Sequence, residues 1–144
     1  MFANLAWGSL LIASNVLIQT AGLIILSKSM PRIIDALGLH RHAFGKTLAL
    51  VTTVFGLFLI HTVQVWCWAA LYFIIGAIAP FEVALYFSTA TFSTVGWAGD
   101  AIDPAWRLLA SLEGVDGFLM IGWSIAYLVA ASTRYGPFRT GEHF

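Results

Sequence analysis

The sequence predicts an all-α membrane protein, with three transmembrane helices and a shorter helix that enters the bilayer and returns. Three observations carry that expectation. Of 144 residues, 60% are hydrophobic and only 10% are charged, whereas a soluble domain carries about 25% charged residues. Three apolar stretches are long enough for the roughly 20 residues that a crossing helix needs. A fourth helical pattern, Phe81–Phe92, is too short to cross and precedes a glycine-bearing loop. The mean hydropathy of +0.87 agrees with this class.

The first stretch, Phe2 to Ser27, contains no Asp, Glu, Lys or Arg. It lacks the basic start of a secretory signal and is too long for a signal's apolar region, so it reads as a retained helix over residues 1–27. Asn15 and Gln19 lie four apart on one face, suited to hydrogen bonds across to the second span. Residues 28–46 form a basic connection with Lys28, Arg32, Arg41 and Lys46. Pro31 is a helix-stop signal there, and Pro31 to Leu37 can form a short amphipathic helix on the membrane surface. His40 and His42 flank Arg41 with no acidic or cysteine partner close by, so they read as a solvated basic loop rather than a metal site.

Thr47 to Phe81 is the second apolar stretch. Its lone cysteine, Cys67, has no disulfide partner and reads as a packing residue. Leu108 to Thr133 is the third, interrupted by Glu113 and Asp116. Arg134 and Arg139 follow it, and only Arg107 lies on the other side. An excess of Lys and Arg marks cytoplasmic loops, which places the N-terminus outside and the C-terminal tail, 135–144, inside. The bacterial inner membrane is the expected location. Net charge is zero, so nothing points to nucleic acid as a partner. The segment from about Ala79 to Pro104 is then external and holds Glu82, Asp100 and Asp103. These carboxylates either solvate a loop or form an acidic mouth that concentrates cations. Trp66, Trp68, Tyr72, Trp97 and Trp106 gather toward the same side, as in an aromatic belt.

Between the second and third spans, Pro80 and Glu82 both favour a helix start at Phe81. The loop "STVGWAGD" follows. Irregular backbone at membrane depth is tolerated only where it is buried in protein or lines a watery cavity. A short helix that dips in would aim the partial negative charge of its C-terminal end at a cation.

Thr91, Ser93, Thr94, Val95, Gly96 and Trp97, followed by Gly99 and Asp100, look like the Thr-x-x-Thr-Val-Gly-Tyr-Gly-Asp signature of tetrameric potassium-channel-like proteins, with Trp for Tyr and one additional residue. "PAWRLL" resembles the Pro-x-x-Arg-Leu opening of that family's inner helix, and Gly117 falls at its hinge glycine. The resemblance runs from about Thr47 to Thr133. It implies an outer helix, a pore helix (81–92), a filter (94–100) and an inner helix (105–133), within a pore domain spanning 47–134. It also implies four copies around a four-fold axis, since one chain supplies one filter segment.

By that resemblance, the carbonyls of Thr94, Val95, Gly96 and Trp97, with the Thr94 hydroxyl, replace the water shell of a monovalent cation, most naturally potassium. Gly96 is required where a carbonyl turns inward at positive φ. Trp97 packs against Tyr86 or Phe87, and Asp100 and Asp103 stand at the external rim. Ala98 departs from the family. Either it occupies the glycine position, at about 1–2 kcal/mol per subunit, or it is an insertion and Gly99 keeps the glycine role. An altered outer filter would favour a non-selective or calcium-permeable channel. A non-conducting scaffold or regulatory subunit would keep the fold without the flux.

Glu113 and Asp116 lie three apart on one helical face. Carboxylates in a membrane face water or a partner. Asp116 facing the central cavity and Glu113 bonded behind the filter or between helices is one arrangement, and His61 is the candidate basic partner for either acid. Such a pair would make conduction pH-sensitive. The first span, extra to a two-helix pore, is expected on the periphery. No Ser/His/Asp set, metal cluster or phosphate loop points to an enzyme, and no cofactor is expected beyond the permeant cation. The short tail leaves gating to the membrane part, through Gly117, the filter or lipid.

Overall fold

The computed structural model describes residues 1–36, 38, 43–96 and 102–135. It is all-helical, with no strand among the described residues. Helix α1 covers Phe2–Ala36, α2 covers Ala43–Ile74, α3 covers Phe81–Phe92 and α4 covers Arg107–Tyr135, the last preceded by a 3₁₀ turn at Pro104–Trp106. Among the described residues, three helices are long and apolar enough to cross a membrane, Phe2–Ala36, Phe44–Ile74 and Pro104–Arg134. Helix α3, at 12 residues, extends about 18 Å against a hydrocarbon core of about 30 Å.

Helices α1 and α4 run parallel, and α2 runs antiparallel to both. Hydrogen bonds from Asn4, Asn15, Gln19 and Ser27 of α1 reach partners on or just before α4 at separations of 100 to 105 residues. A near-constant offset of this kind arises only between helices pointing the same way. In contrast, α1–α2 partners converge in number, as Gly22 meets Ile60 and Gly56 meets Leu26. The absent side chains let these two helices approach closely, the usual device where lipid removes any hydrophobic drive to associate. The Asp103 N–H donates to the Ala77 carbonyl. Helix α3 and its loop therefore leave and rejoin the bundle at the same end of α2, which is what a re-entrant segment requires.

Two apolar clusters hold the bundle. One joins Trp68, Leu71 and Tyr72 of α2, Ala84, Phe87 and Phe92 of α3, and Leu109 and Met120 of α4. The other joins Leu23, Leu26, Met30 and Ile34 of α1 to Ala49, Leu57 and Ile60 of α2. The second cluster corrects an expectation. Pro31 does not stop α1, and there is no separate surface helix from Pro31, because α1 continues to Ala36. Proline removes one helical N–H and crowds the carbonyl four residues back. Met30 and Ile34 flank it, and both are buried in the α1–α2 contact, so packing carries the helix through. The basic connection is correspondingly shorter than residues 28–46. His40, Arg41 and His42 lie outside the described residues, as do the residues of the tail from 136 onward.

Helix α1 does more than lie on the periphery. Its Asn4 side chain donates to the Ala105 carbonyl at 3.0 Å and accepts from the Leu109 N–H at 3.1 Å. One buried carboxamide thus pins the start of α1 to the start of α4. Asn4→Ala should lower thermal stability in detergent by about 1 kcal/mol, with two backbone groups losing a partner. A melting temperature equal to wild type would show that these bonds carry no net weight.

Candidate functional site

Helix α3 begins after Pro80 with Glu82 in its first turn and ends at Phe92. Beyond it the chain folds back on the helix end. The Ser93 N–H donates to the Thr89 carbonyl, Thr94 to Thr91, and Gly96 to Ala90. This closure needs left-handed backbone, found at Gly96 (φ 81°) and at Thr94 (φ 64°). For glycine the conformation is free of strain, whereas for a β-branched residue it is an outlier costing about 1–3 kcal/mol. The backbone bonds on either side, from the Thr94 N–H to Thr91 and from the Gly96 N–H to Ala90, hold it in place. Val95, between the two, is 82% exposed.

An open concavity of about 580 Å³ lies where this loop meets α4. Thr91, Thr94 and Gly96 line it from the α3 side, and Ala110, Ser111, Gly114, Val115 and Phe118 line it from α4. The C-terminal end of α3 sits at its edge, with the partial negative charge of a helix terminus. Trp97, Ala98, Gly99 and Asp100 lie outside the described residues, and so does the packing expected of Trp97. Asp103 is exposed and caps the 3₁₀ turn, with Oδ1 accepting from the Ala105 N–H at 2.8 Å.

The acids of α4 are placed differently from the cavity arrangement. Glu113 and Asp116 are both fully buried within a single subunit, so neither side chain faces a central cavity. The Tyr72 hydroxyl donates to Glu113 Oε2 at 2.6 Å, and Ser88 Oγ lies 2.5 Å from Glu113 Oε1. Glu113 thus joins α4 to α2 and to α3. Asp116 Oδ2 accepts from Trp68 Nε1 at 3.0 Å and from Asn15 Nδ2 at 2.5 Å.

His61 pairs with neither acid. Its Nδ1 lies 2.8 Å from Gln64 Oε1, to which it donates. Gln64 Nε2 donates in turn to the Asn15 carbonyl and to Gln19 Oε1, and Gln19 Nε2 donates to Ser124 Oγ. Register is the reason. Tyr72 meets Glu113 and Trp68 meets Asp116 on antiparallel helices, which puts His61 level with the Trp123–Ser124 turn. It stands about 10 Å along α2 from Trp68.

Gly117 is a packing position. A Cβ there would collide with the carbonyl oxygen, carbonyl carbon and Cα of Phe92, so the missing side chain lets α4 seat the end of α3. The expected belt also divides. Trp66 is exposed, but Trp68 and Tyr72 are fully buried, turned inward because their N–H and O–H find the two carboxyls. Buried aromatic rings with polar tips usually find such a partner.

Sequence reading missed five contributors: Ser88, Tyr72, Trp68 and Asn15 as partners of the acids, and Thr94 as a left-handed residue. The first three were accessible in principle. Trp68 and Tyr72 are four apart and Glu113 and Asp116 three apart, a match for two antiparallel helices. Nothing in the residue type of Thr94 signals its conformation.

Spanning helices that alternate in direction, with a short helix returning to the side it left, are the frame of a membrane protein with a re-entrant segment. The chain belongs to the ion channel family, whose model matches residues 60–134, just over half of the chain. No curated protein and no solved structure matches it. The matched segment runs from the middle of α2 through α3 and the loop to the last turns of α4, so it contains the concavity and both buried acids. It is an integral membrane protein whose channel domain supports cation conduction in general.

Proposed function

We propose that the chain assembles as a homotetramer and conducts monovalent cations, potassium foremost, through a filter formed by Thr94, Val95, Gly96, Trp97, Ala98 and Gly99. The observation that carries this reading is the left-handed backbone at Thr94 and Gly96, set at the end of a helix too short to cross and beside a concavity open to the outside of the subunit. Four such quarters around an axis would close a ring of carbonyl dipoles, which bind a cation without adding net charge. The basic residues favour an outward N-terminus and a cytoplasmic C-terminus, with Asp100 and Asp103 on the outer side.

Flux through the purified protein in liposomes tests this, comparing potassium with sodium under equal gradients. The expected result is potassium flux well above sodium flux. Gly96→Val forces a side chain into the left-handed region at about 1–2 kcal/mol per subunit and should lower potassium flux at least about tenfold. Equal fluxes of the two ions would overturn potassium preference and point to the change at Ala98. No flux of either, from protein shown to be inserted and tetrameric, would make the chain a non-conducting scaffold.

A further inference from the structure

Around Glu113 there are more short oxygen–oxygen contacts than hydroxyl protons to fill them. Tyr72 Oη lies 2.6 Å from Glu113 Oε2, Ser88 Oγ lies 2.5 Å from Glu113 Oε1, and Ser88 Oγ also lies 3.0 Å from the Val65 carbonyl. Tyrosine and serine each own one hydroxyl hydrogen. The Val65 carbonyl can only accept. If Ser88 donates to Val65, the contact to Glu113 has no hydrogen unless the carboxyl brings one. If Ser88 donates to Glu113 instead, two bare acceptors face each other at 3.0 Å. A proton on Glu113 Oε1 resolves both cases. Tyr72 then donates to Glu113, Glu113 donates to Ser88, and Ser88 donates to Val65.

Asp116 shows the same deficit independently. Asn15 Oδ1 and Asp116 Oδ1 are buried and have no partner among the described residues. Both are acceptors, one on each member of a hydrogen-bonded pair. The Asp116 oxygen thus lacks a donor that an ionised carboxylate needs far more than a neutral acid does. Among the described residues, no cation offsets either carboxyl. The titratable groups facing Glu113 are Tyr72 from α2 and Asp116 from α4 itself, α3 offers Ser88, and Asp116 meets Trp68 of α2 and Asn15 of α1. An ionised carboxylate buried without a counter-charge is far costlier than the neutral acid.

We infer that Glu113 and Asp116 are held as neutral acids at neutral pH, and that Glu113, by donating to Ser88, is a positioning residue for the helix carrying the conducting loop. Ser88 is one turn before the end of α3, and its bonds to α2 and α4 fix the point from which Thr94 to Gly96 depart. The positioning role rests on the conduction reading above, whereas the protonation does not.

Infrared spectroscopy of the protein in lipid vesicles at neutral pH separates the two. Protonated carboxyls absorb apart from ionised ones and from the amide bands. The expected wild-type spectrum contains two acid bands, one lost in Glu113→Gln and the other in Asp116→Asn. Ser88→Ala should shift the Glu113 band, since its acceptor is gone, without removing it. Carboxyl-labelled glutamate and aspartate, incorporated separately into the unaltered chain, should move one band each, so the assignment survives a variant that misfolds. Absence of acid bands from the labelled wild type overturns the inference.

The second readout is the potassium-to-sodium flux ratio. Glutamine can still donate to Ser88 and accept from Tyr72, so Glu113→Gln should retain the ratio, whereas Glu113→Ala should lose it. Loss in both variants would overturn the positioning role. A wild type with acid bands but no flux would overturn the conduction reading alone.

Discussion

Replacing Gly117 with alanine is expected to unseat α3 and lower stability by about 1–3 kcal/mol in every subunit, the usual cost of overpacking a filled site. The added carbon would meet the Phe92 backbone, and a backbone held on both sides cannot yield as the tip of a flexible side chain can. Gly122→Ala is the control. Nothing lies within 4 Å of a Cβ at that position, so the change should be neutral or stabilising by up to about 1 kcal/mol, the helical gain of alanine over glycine. Melting of both variants in detergent decides the matter. If Gly117→Ala melts like wild type while channel opening changes, Gly117 acts as a hinge, and the packing account is wrong.

Trp68→Ala should be the most damaging of the tryptophan replacements, at about 3–5 kcal/mol. The ring is completely buried and stacks on Tyr72 with centroids 6.1 Å apart. Its Nε1 is also one of two donors to Asp116 Oδ2. Removal would open a cavity and strip a partner from a buried acid at once. Trp66, two residues earlier, is 52% exposed, and Trp66→Ala should cost little in a detergent melt. Equal losses for the two would mean that the inward turn of Trp68 adds nothing.

Helix number and the re-entrant segment were legible because they rest on length and charge exclusion. A 12-residue helix bounded by Pro80 and a glycine-bearing loop cannot cross, whatever packs around it. The site was legible only in part. Which face of α4 carries Glu113 and Asp116 follows from their spacing, but which neighbour that face meets depends on the register of α2 against α4. Without that register, His61 looked as near to the acids as Trp68 and Tyr72, and the latter two looked like interfacial aromatics. Pro31 misled for a similar reason: a local breaker signal was outweighed by Met30 and Ile34 packing on α2, contacts that appear only once two helices are side by side. Asn15 and Gln19 were correctly marked as polar groups seeking partners. The expected bond to the second span holds for Gln19, which meets Gln64, whereas the Asn15 side chain goes instead to Asp116 of α4 and Gln64 reaches Asn15 only at its backbone carbonyl.

That last arrangement bears on the order in which the protein is made. Helix α1 leaves the ribosome before α2 and α4, and Asp116 and Ser124, the partners of its Asn15 and Gln19, are translated about a hundred residues later. During that interval two amides would stand in lipid, where unpaired polar groups are disfavoured. Gln64, which emerges midway, bonds the Gln19 amide and the Asn15 backbone carbonyl, so it can hold Gln19 until α4 arrives, while the Asn15 side chain waits for Asp116. The hairpin of α1 and α2 would then be the first assembled unit, and α4 would complete the bundle by docking against a polar seam already lined up to receive it.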